Sequence, residues 1–519
     1  MLTHERTLVA GRTLRAGAIA PYRAIEEAAG ERHVTRTELT GPLGSQLRAG
    51  RGALLTIAHL TDLHFTDVES PARFEFLNRY AGDPRFKELL TMQRPQEALN
   101  ARAIDEMVAT INAIDAGPVA GGAIDLAVMS GDAIDNGQGN ELATFFALLG
   151  GGMVAPGSGG PELESVQAPA WPDDIFWKPD GGGYGRARFR IDYGFPHLPG
   201  VLDRAQRPFQ AAGLRMPWIG CHGNHEELCQ GVGVMNAELA ALMTGGRKPI
   251  AVGDGIEPAT ALELFVRKPE AFMAGPTIAV TPDATRAPIG LAGFVDGYLA
   301  AGGHGFSAAN RAEGTAYYVH DTRRVRVIVL DTACAAGGAD GCIDPAQLAW
   351  LEERLAEVHS PNEKRLVVIV SHHPLITMVN DRAPGGARGA ELLHLLHRFP
   401  NVILWLNGHT HTNRVVAHAN REGVSVGFWE VTTASMIDWP TQARLVEIFD
   451  AGSGRLGIAC TIVDHDGAVE PGDALTANEL AGLHRELAAN DPLAGAGSYR
   501  RGTAADRNVV LALPAPFQL

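Results

Sequence analysis

The sequence predicts an α/β fold, and three observations lead to this prediction. Six short apolar runs are spread along the chain, and each one ends in a group of polar residues. Helical patterns separate these runs, which is typical of a sheet covered by helices. With 45% hydrophobic and 20% charged residues among 519, the chain also has enough apolar side chains for a large core.

The six apolar runs are the predicted strands. Each is a near-continuous series of aliphatic residues, as in strands that are buried on both faces. In chain order, from Ala53 to His411, they read ALLTIAHLTDLH, IDLAVMSGD, PWIGCHGNHE, VRVIVLDT, RLVVIVSHHP and NVILWLNGHTH.

Helices are predicted where apolar residues recur three and four positions apart. The segments with this spacing are Arg94–Asp115, Asp344–His359 and the run GAELLHLLHRF, which ends at Phe399. Asp344 is the predicted N-cap of the second helix, and Pro345 takes its first helical position. Three late segments with no helix between them are predicted as antiparallel strands: Ser425–Thr433, Ala443–Phe449 and Arg455–Val463.

Composition changes along the chain suggest a main domain with long insertions. We expect this domain to span residues 51–465, with insertions at about 150–215 and 227–319, where Gly and Pro are frequent. Loops of this length are usually functional or contain small elements of their own. Residues 1–50 are expected to form an N-terminal arm, and residues 466–519 a peripheral C-terminal segment.

Charge and cysteine content restrict the function and the compartment. A net charge of −15 disfavours binding to a nucleic-acid polymer, because the protein surface repels polyanions. No apolar run has the length of a membrane span, and no leader is visible, so a cytoplasmic protein is expected. An exported form stays compatible if a leader was removed. Five cysteines are expected as free thiols rather than as the pairs Cys334–Cys342 or Cys221–Cys229.

Polar residues at the predicted strand ends form a set of metal ligands. In open α/β sheets, ligands bind beyond the carboxyl ends of the strands. The Asp132 carboxylate can bridge two cations with its two oxygen atoms. The remaining ligands divide into two groups: Asp62, His64 and His411 for one ion, and Asn224, His372 and His409 for the other. Mixed nitrogen and oxygen ligands suit Mn, Fe or Zn better than Ca.

The order of the motifs DxH, GD, GNHE, HHP and GHTH resembles that of the calcineurin-like metallophosphoesterase superfamily, over about Leu54 to Val463. This resemblance implies a two-sheet α/β sandwich with two metal ions, divalent or trivalent, at the strand ends. It also implies that residues 51–465 are the catalytic domain. His225 would act on the leaving group, as a general acid or as a stabiliser of the transition state. His372, rather than its neighbour His373, would bind metal.

Two details favour phosphodiesters among the substrates of this superfamily. Purple acid phosphatases carry Tyr where this chain has Asp135, and Gly where it has His64. The pattern DxH with GDxxDxG, which includes Asp132, Asp135 and Gly137, resembles class III cyclic nucleotide phosphodiesterases and enzymes that cleave glycerophosphodiesters. We therefore expect hydrolysis of small phosphodiesters by a hydroxide that bridges the two metal ions, with Asp132 as a catalytic residue.

Other functions of the same site stay open at this point. A phosphomonoesterase or nucleotidase would need further cationic groups, which Arg382 and Arg388 could supply. A phosphotriesterase and a non-catalytic metal-bound scaffold are the remaining alternatives. The sequence leaves a homo-oligomer open as well.

Four further residues are candidates for contacts with the ligands or the substrate. His222 lies two positions before Asn224, and His373 follows His372. Asp331 ends a predicted strand and is expected to support a loop or a ligand through hydrogen bonds. His304, in the second insertion, is a candidate to line the site.

Overall fold

The computed structural model describes residues 1–41, 52–86, 89, 91–182, 187–360, 363–420, 425–497 and 499–519. Within these residues the strands are β1 (Arg6–Arg15), β2 (Tyr22–Ala29), β3 (Val34–Arg36), β4 (Ala53–Leu60), β5 (Leu126–Met129), β6 (Met153–Val154), β7 (Phe209–Gln210), β8 (Trp218–Gly220), β9 (Arg247–Pro249), β10 (Thr277–Ala279), β11 (Tyr318–Asp321), β12 (Val325–Val329), β13 (Leu366–Val370), β14 (Val402–Asn407), β15 (Arg414–Ala419), β16 (Gly427–Thr432), β17 (Gln442–Gly452), β18 (Arg455–Asp464) and β19 (Val509–Pro514).

The α-helices of the described residues are α1 (Asn100–Asn112), α2 (Gly139–Gly150), α3 (Arg188–Tyr193), α4 (Val201–Ala205), α5 (Asn224–Glu227), α6 (Ala237–Met243), α7 (Ala261–Arg267), α8 (Gly290–Ala301), α9 (Ala308–Glu313), α10 (Pro345–Glu357), α11 (Gly389–His397) and α12 (Ala477–Ala489). The Asp344 side chain caps α10 as expected, because it accepts hydrogen bonds from the backbone N–H groups of Ala346 and Gln347.

Two large sheets form the centre of the fold. One has the strand order β3-β19-β18-β17-β4-β5-β8, and the other has the order β11-β12-β13-β14-β16-β15. The strands β4, β5 and β8 run parallel to one another, and so do β12, β13, β14 and β16. The two-sheet α/β architecture expected from the motif resemblance is therefore confirmed, and the six strands expected from the apolar runs are all present.

The sandwich arises because alternate side chains of a strand point to opposite faces of its sheet. In β13, Val368 packs in the core that the two sheets share, together with Ile57 of β4 and Leu445 of β17. The neighbouring Ile369 points the other way and packs with Leu351 of α10. The continuous apolar run of β13 is thus explained by burial on both faces.

Two expectations from the sequence were wrong. The segment that contains β16 was expected to be antiparallel, but β16 pairs in parallel with β14 and is antiparallel only to β15. Residues 466–519 were expected to be peripheral, but β19 lies between β18 and β3, and α12 is buried along most of its length. Small Ala and Gly side chains allow the close packing of α12 with α1, and these residues were misread as a sign of a surface segment.

The N-terminal strands β1 and β2 form an antiparallel hairpin that packs against α12, and β3 adds to the edge of the larger sheet next to β19. The two insertions contain short helices and strands, among them α3, α6 and α8. No described helix combines the length and the apolar character that crossing a lipid bilayer requires. All five cysteines are buried free thiols, as expected.

Candidate metal centre

The candidate ligands meet at one edge of the sandwich because parallel strands bring their carboxyl ends together. Asp62 and Asp132 follow β4 and β5, and Asn224 follows β8. His372 and His409 follow β13 and β14 of the other sheet. Both sheets therefore contribute to the site, which explains why its residues are far apart in sequence.

Five of the seven candidate ligands have a left-handed backbone conformation. The residues and their φ angles are Asp62 (49°), His64 (45°), Asp132 (51°), His409 (65°) and His411 (52°). This conformation is unfavourable for residues other than Gly, by about 1–3 kcal/mol each, and it concentrates at functional sites. The chain thus holds these side chains in place against a local cost in free energy.

Close contact between the two sheets also requires Gly408, the residue before His409. A Cβ atom at Gly408 would lie 1.9 Å from Thr61 Oγ1 and 2.3 Å from Asp62 Oδ2. Any larger residue would therefore push His409 away from Asp62, whose carboxylate accepts a hydrogen bond from the His409 backbone N–H.

Asp62, His64 and His411 form what we call the charge-supported half of the site. Their donor atoms converge, with 3.1 Å between the two histidine Nε2 atoms and 3.2 Å from His411 Nε2 to Asp62 Oδ1. Behind them, His64 Nδ1 contacts Asp135 Oδ1 at 3.1 Å, and His411 Nδ1 contacts Asp438 Oδ2 at 2.6 Å. A neutral imidazole that donates from Nδ1 presents a lone pair at Nε2, so both rings direct lone pairs to the same point.

Asn224, His372 and His409 form the second half, which we call carbonyl-supported. His372 Nδ1 donates to the carbonyl of Ser130 at 2.9 Å, and Asn224 Nδ2 donates to the carbonyl of Gly231 at 2.9 Å. Asn224 Oδ1 is buried and has no hydrogen-bond partner among the described residues. A buried acceptor of this kind is unfavourable unless a ligand satisfies it.

Asp132 lies between the two halves. Its Oδ2 atom is 3.0 Å from His372 Nε2 and 3.7 Å from His64 Nε2, while Oδ1 accepts a hydrogen bond from the His225 backbone N–H. Burial would raise the pKa of this carboxyl group, but the charges of His372 and His225 hold the pKa well below its usual value. Asp132 is therefore ionised, and its carboxylate lies close to candidate ligands of both halves.

These donors fit a pair of transition-metal ions. Among the described residues, four groups of buried or half-buried side chains have ligand atoms within 4.8 Å of one another: Asp62 with His64 and His411, Asp62 with Asp132 and His372, His372 with His373 and His409, and His64 with Asp135 and His225. Imidazole nitrogen and carboxylate oxygen are ligands that such metals prefer. A bound cation would supply the missing partner of Asn224 Oδ1 and would accept the lone pairs of the converging Nε2 atoms.

The structure separates His372 from His373. Both ring nitrogens of His373 are engaged, Nδ1 with Thr332 Oγ1 at 2.9 Å and Nε2 with the Ala339 carbonyl at 3.0 Å. His372 Nε2, in contrast, is buried and has no hydrogen-bond partner among the described residues. The free donor of this pair is therefore His372.

His225 packs against His64 of the charge-supported half, and His222 and Asp331 contact each other. The His225 Nδ1 atom donates to the Asp135 carbonyl at 2.6 Å, and its side chain is 17% exposed. His222 Nδ1 contacts Asp331 Oδ1 at 3.1 Å. Burial would lower the pKa of His222, but the Asp331 carboxylate raises it to about 9.

The expectation that His304 lines the site was wrong. Its ring stacks on Trp218 with 3.6 Å between ring centroids, and its two nitrogens lie 3.2 Å and 3.0 Å from the carbonyls of Trp218 and Ala301. Trp218 is the first residue of β8, whereas the ligands lie beyond the other end of that strand. Packing of the insertion against the sheet thus explains His304.

Sequence reasoning missed Asp438, Arg94 and Arg500. Asp438 is fully buried and contacts His411, Arg94 and Arg500. Burial would raise the pKa of its carboxyl group, but the two guanidinium groups hold the pKa well below its usual value. Asp438 follows β16, so a correct prediction of β16 as a parallel strand would have pointed to this residue.

Comparison with known proteins is consistent with this site. Residues 191–413 match the family model described as calcineurin-like phosphoesterase. That region contains Asn224, His225, His372, His409 and His411, and the DxH and GD motifs precede it.

One curated relative is described as a probable cyclic nucleotide phosphodiesterase from Synechococcus sp. (strain WH7803). It is 28% identical over 145 residues, which are 24% of this chain and 54% of the relative. The chain thus matches about half the length of that relative.

Two solved structures are also similar to this chain. The first is a dimetal phosphatase from Danio rerio, with 11% identity, 80% of this chain and 99% of that chain covered, and a TM-score of 0.36. The second is a 5′-nucleotidase precursor from Thermus thermophilus, with 15% identity, 83% and 58% of the two chains covered, and a TM-score of 0.31.

Proposed function

We propose that this chain belongs to the calcineurin-like phosphoesterase family, whose model matches residues 191–413, and that it hydrolyses small phosphodiesters with two transition-metal ions. The observation that carries the proposal is the convergence of six candidate ligands in overlapping groups, together with the buried and unsatisfied Oδ1 atom of the seventh, Asn224. The seven are Asp62, His64, Asp132, Asn224, His372, His409 and His411.

In this proposal the charge-supported half holds one ion, the carbonyl-supported half holds the other, and Asp132 contacts both. Two such ions, when bound, polarise the phosphoryl oxygens and lower the pKa of a water molecule between them. The protein contributes the arrangement of the donors, since the left-handed backbone at Asp132 and His409 fixes their side chains before any substrate arrives.

His225 is the proposed general acid. Because its Nδ1–H donates to the Asp135 carbonyl, its ring is held with Nε2 on the side of Asp132, 4.0 Å from Oδ2. The partly exposed ring can donate a proton from Nε2 to the oxygen of the leaving group. His225 would therefore act on the substrate without binding either ion.

Two observations support a diester over a monoester. The DxH and GDxxDxG pattern resembles phosphodiesterases, and one curated relative is described as a probable cyclic nucleotide phosphodiesterase. A monoester carries a further negative charge, which Arg382 and Arg388 were candidates to neutralise. Both are instead paired with acidic side chains, Arg382 with Glu263 and Arg388 with Glu391.

A panel of three p-nitrophenyl esters tests the proposal. Metal-free protein is reconstituted with Mn²⁺, Fe²⁺ or Zn²⁺, and kcat/KM is measured on bis-p-nitrophenyl phosphate, p-nitrophenyl phosphate and diethyl p-nitrophenyl phosphate. We expect the diester to give the highest kcat/KM. Turnover of none of the three with any metal would overturn the proposal, and a preference for the monoester or the triester would reassign the substrate class.

A pair of variants links this activity to the site. Asp132→Asn removes the charge that both ions share, so it should abolish turnover and most metal binding. Glu430→Gln is the matched control, because Glu430 is a buried carboxylate whose hydrogen bonds go to Leu375, Asn407 and His418 rather than to a candidate ligand. Metal content by atomic emission distinguishes loss of ions from loss of the fold.

A further inference from the structure

Two arginines converge on one carboxylate directly behind the charge-supported half. Arg94 donates from Nε to Asp438 Oδ1 at 2.8 Å, and Arg500 donates from Nη1 to Asp438 Oδ2. The same carboxylate contacts His411 Nδ1. The two arginines therefore share Asp438, and Arg94 also lies near the Asp135 carboxylate, so both guanidinium groups are one hydrogen bond away from a candidate metal ligand or its support.

The hydrogen bonds to Asp438 engage only some of the N–H groups of the two guanidinium groups. Asp438 is fully buried, whereas the side chains of Arg94 and Arg500 are 20% and 24% exposed. Within the described residues, neither guanidinium group makes a hydrogen bond other than the one to Asp438, and Arg94 Nη1 lies 3.8 Å from Asp135 Oδ1. The exposed edges therefore carry N–H donors that are available to a ligand.

A cavity of about 140 Å³ lies beside the backbone at Arg94, and neither Arg94 nor Arg500 is among the residues that line it. Gln93 and Pro95, the neighbours of Arg94 in sequence, line it together with Phe189 and Asp491. The Asp491 carboxylate accepts a hydrogen bond from the Leu493 backbone N–H. Burial raises the pKa of Asp491 to about 6, and the charges of Arg94 and Arg500 oppose this rise.

Fixed guanidinium groups with free N–H donors are suited to carboxylate and phosphate oxygens. The rest of the protein is acidic, with a net charge of −15, so an anion is attracted only where cations are concentrated. We propose that Arg94 and Arg500 form an anion subsite beside the metal centre, and that the substrate is a phosphodiester with a further anionic group on one ester substituent. This inference rests on the proposed function, and it names the substrate class within it.

Three diesters that share one 4-nitrophenyl ester test the subsite. Their second ester is 4-carbamoylphenyl, 4-carboxyphenyl or 4-phosphonophenyl, so the neutral amide is nearly isosteric with the carboxylate. Chromatography of both released phenols gives kcat/KM whichever ester is cleaved. We expect the anionic esters to exceed the carbamoyl ester by about 10- to 100-fold, the range for a charged hydrogen bond, and their ratio shows whether the subsite prefers carboxylate or phosphonate.

Two arginine variants test whether Arg500 causes the preference for the anionic esters. Arg500→Gln should reduce the ratio of anionic to neutral ester towards one. Arg382→Gln is the matched control, an arginine of similar exposure paired with Glu263, and it should keep the ratio. An unchanged ratio in Arg500→Gln overturns the proposal. An equal loss of kcat/KM on all three esters also overturns it, because Arg500 would then serve only to position Asp438.

A binding measurement separates this inference from the proposed function. Calorimetry on the metal-free protein compares 4-carboxyphenyl phosphate with phenyl phosphate, for the wild type and for Arg500→Gln. Tighter binding of the carboxylated probe, lost in the variant, is expected even if none of the diesters is hydrolysed. Equal affinities of the wild type for the two probes would overturn the proposed anion subsite. Failure to hydrolyse the diesters would, by itself, overturn only the proposed phosphodiesterase activity.

Discussion

The two halves of the candidate metal centre hold their ligands by different means. In the charge-supported half, the carboxylates Asp135 and Asp438 stand behind His64 and His411. In the carbonyl-supported half, His372 donates to a neutral backbone carbonyl, that of Ser130. A carboxylate behind an imidazole fixes the ring and raises its basicity. We therefore expect the charge-supported half to bind its ion more tightly, and the carbonyl-supported half to exchange its ion more readily.

The difference between the two halves extends to the residues behind the candidate ligands. Asp135 is also paired with Arg73, which is fully buried and pairs with Glu97 at 2.7 Å. Buried ion pairs of this kind contribute little net stability, but breaking one by removal of a single partner costs about 3–5 kcal/mol. The charge-supported half is thus rigid because removing one of its charged side chains leaves another without its partner. Substitutions of these side chains can therefore test the comparison between the two halves.

Among the variants that test this comparison, the largest effect is expected for His225, which lies close to the charge-supported half but is not a proposed ligand. His225→Ala should lower kcat by about 10²–10⁴-fold, the range for a lost general acid. Metal content should stay at the wild-type value, because Nδ1 of the ring is engaged with the Asp135 carbonyl and Nε2 is assigned to the leaving group. Steady-state kinetics with metal analysis checks this, and loss of ions in the variant would make His225 part of the metal site instead.

A smaller effect tests the difference between the halves directly. Asp438→Asn keeps an acceptor for His411 Nδ1 but removes the negative charge, so one of the two ions should bind about 10- to 100-fold more weakly. The second ion should keep its affinity. Calorimetric titration of metal-free protein resolves the two binding steps, with Glu430→Gln as the control. Equal weakening of both steps would show that the halves do not differ in the way that their supports suggest.

The strands could be predicted, and a candidate ligand set could be named, because their signals are local. A strand that is buried on both faces leaves a continuous apolar run, such as the one that became β13, and the candidate ligand His372 follows that strand. The five motif blocks occur in one order along the chain, so the candidate set was available before any contact was known.

What could not be predicted depends on pairing over long distances in sequence. Asp438 meets Arg94 across 344 positions and Arg500 across 62 positions, and no local pattern links them. The orientation of β16 was missed because absence of a helix between strands usually indicates antiparallel pairing. β19 was missed because a short apolar segment near the end of a chain does not reveal which strand it will join.

The smallest expected effect concerns the acid limit of the region behind the charge-supported half. His484 of α12 is fully buried, and neither ring nitrogen has a hydrogen-bond partner among the described residues. Burial lowers its pKa from 6.5 to about 3, although the charge of Asp438 acts in the opposite direction. Because the pKa is lower in the folded state, the unfolded chain takes up this proton first, so stability that is present above pH 6.5 is lost as the pH falls towards 3.

Substitution of His484 should remove this loss of stability at acidic pH. At pH 5 the contribution of His484 is about 2 kcal/mol less favourable than at pH 7, from the difference between the two pKa values. The free energy of unfolding of metal-free His484→Leu should therefore fall by about 2 kcal/mol less than that of the wild type between these pH values. Urea denaturation at both pH values measures the change, and comparing each protein with itself cancels any effect of packing that does not depend on pH. An identical pH dependence in the two proteins would mean that His484 is not kept neutral by burial, and that the region behind the charge-supported half is open to water.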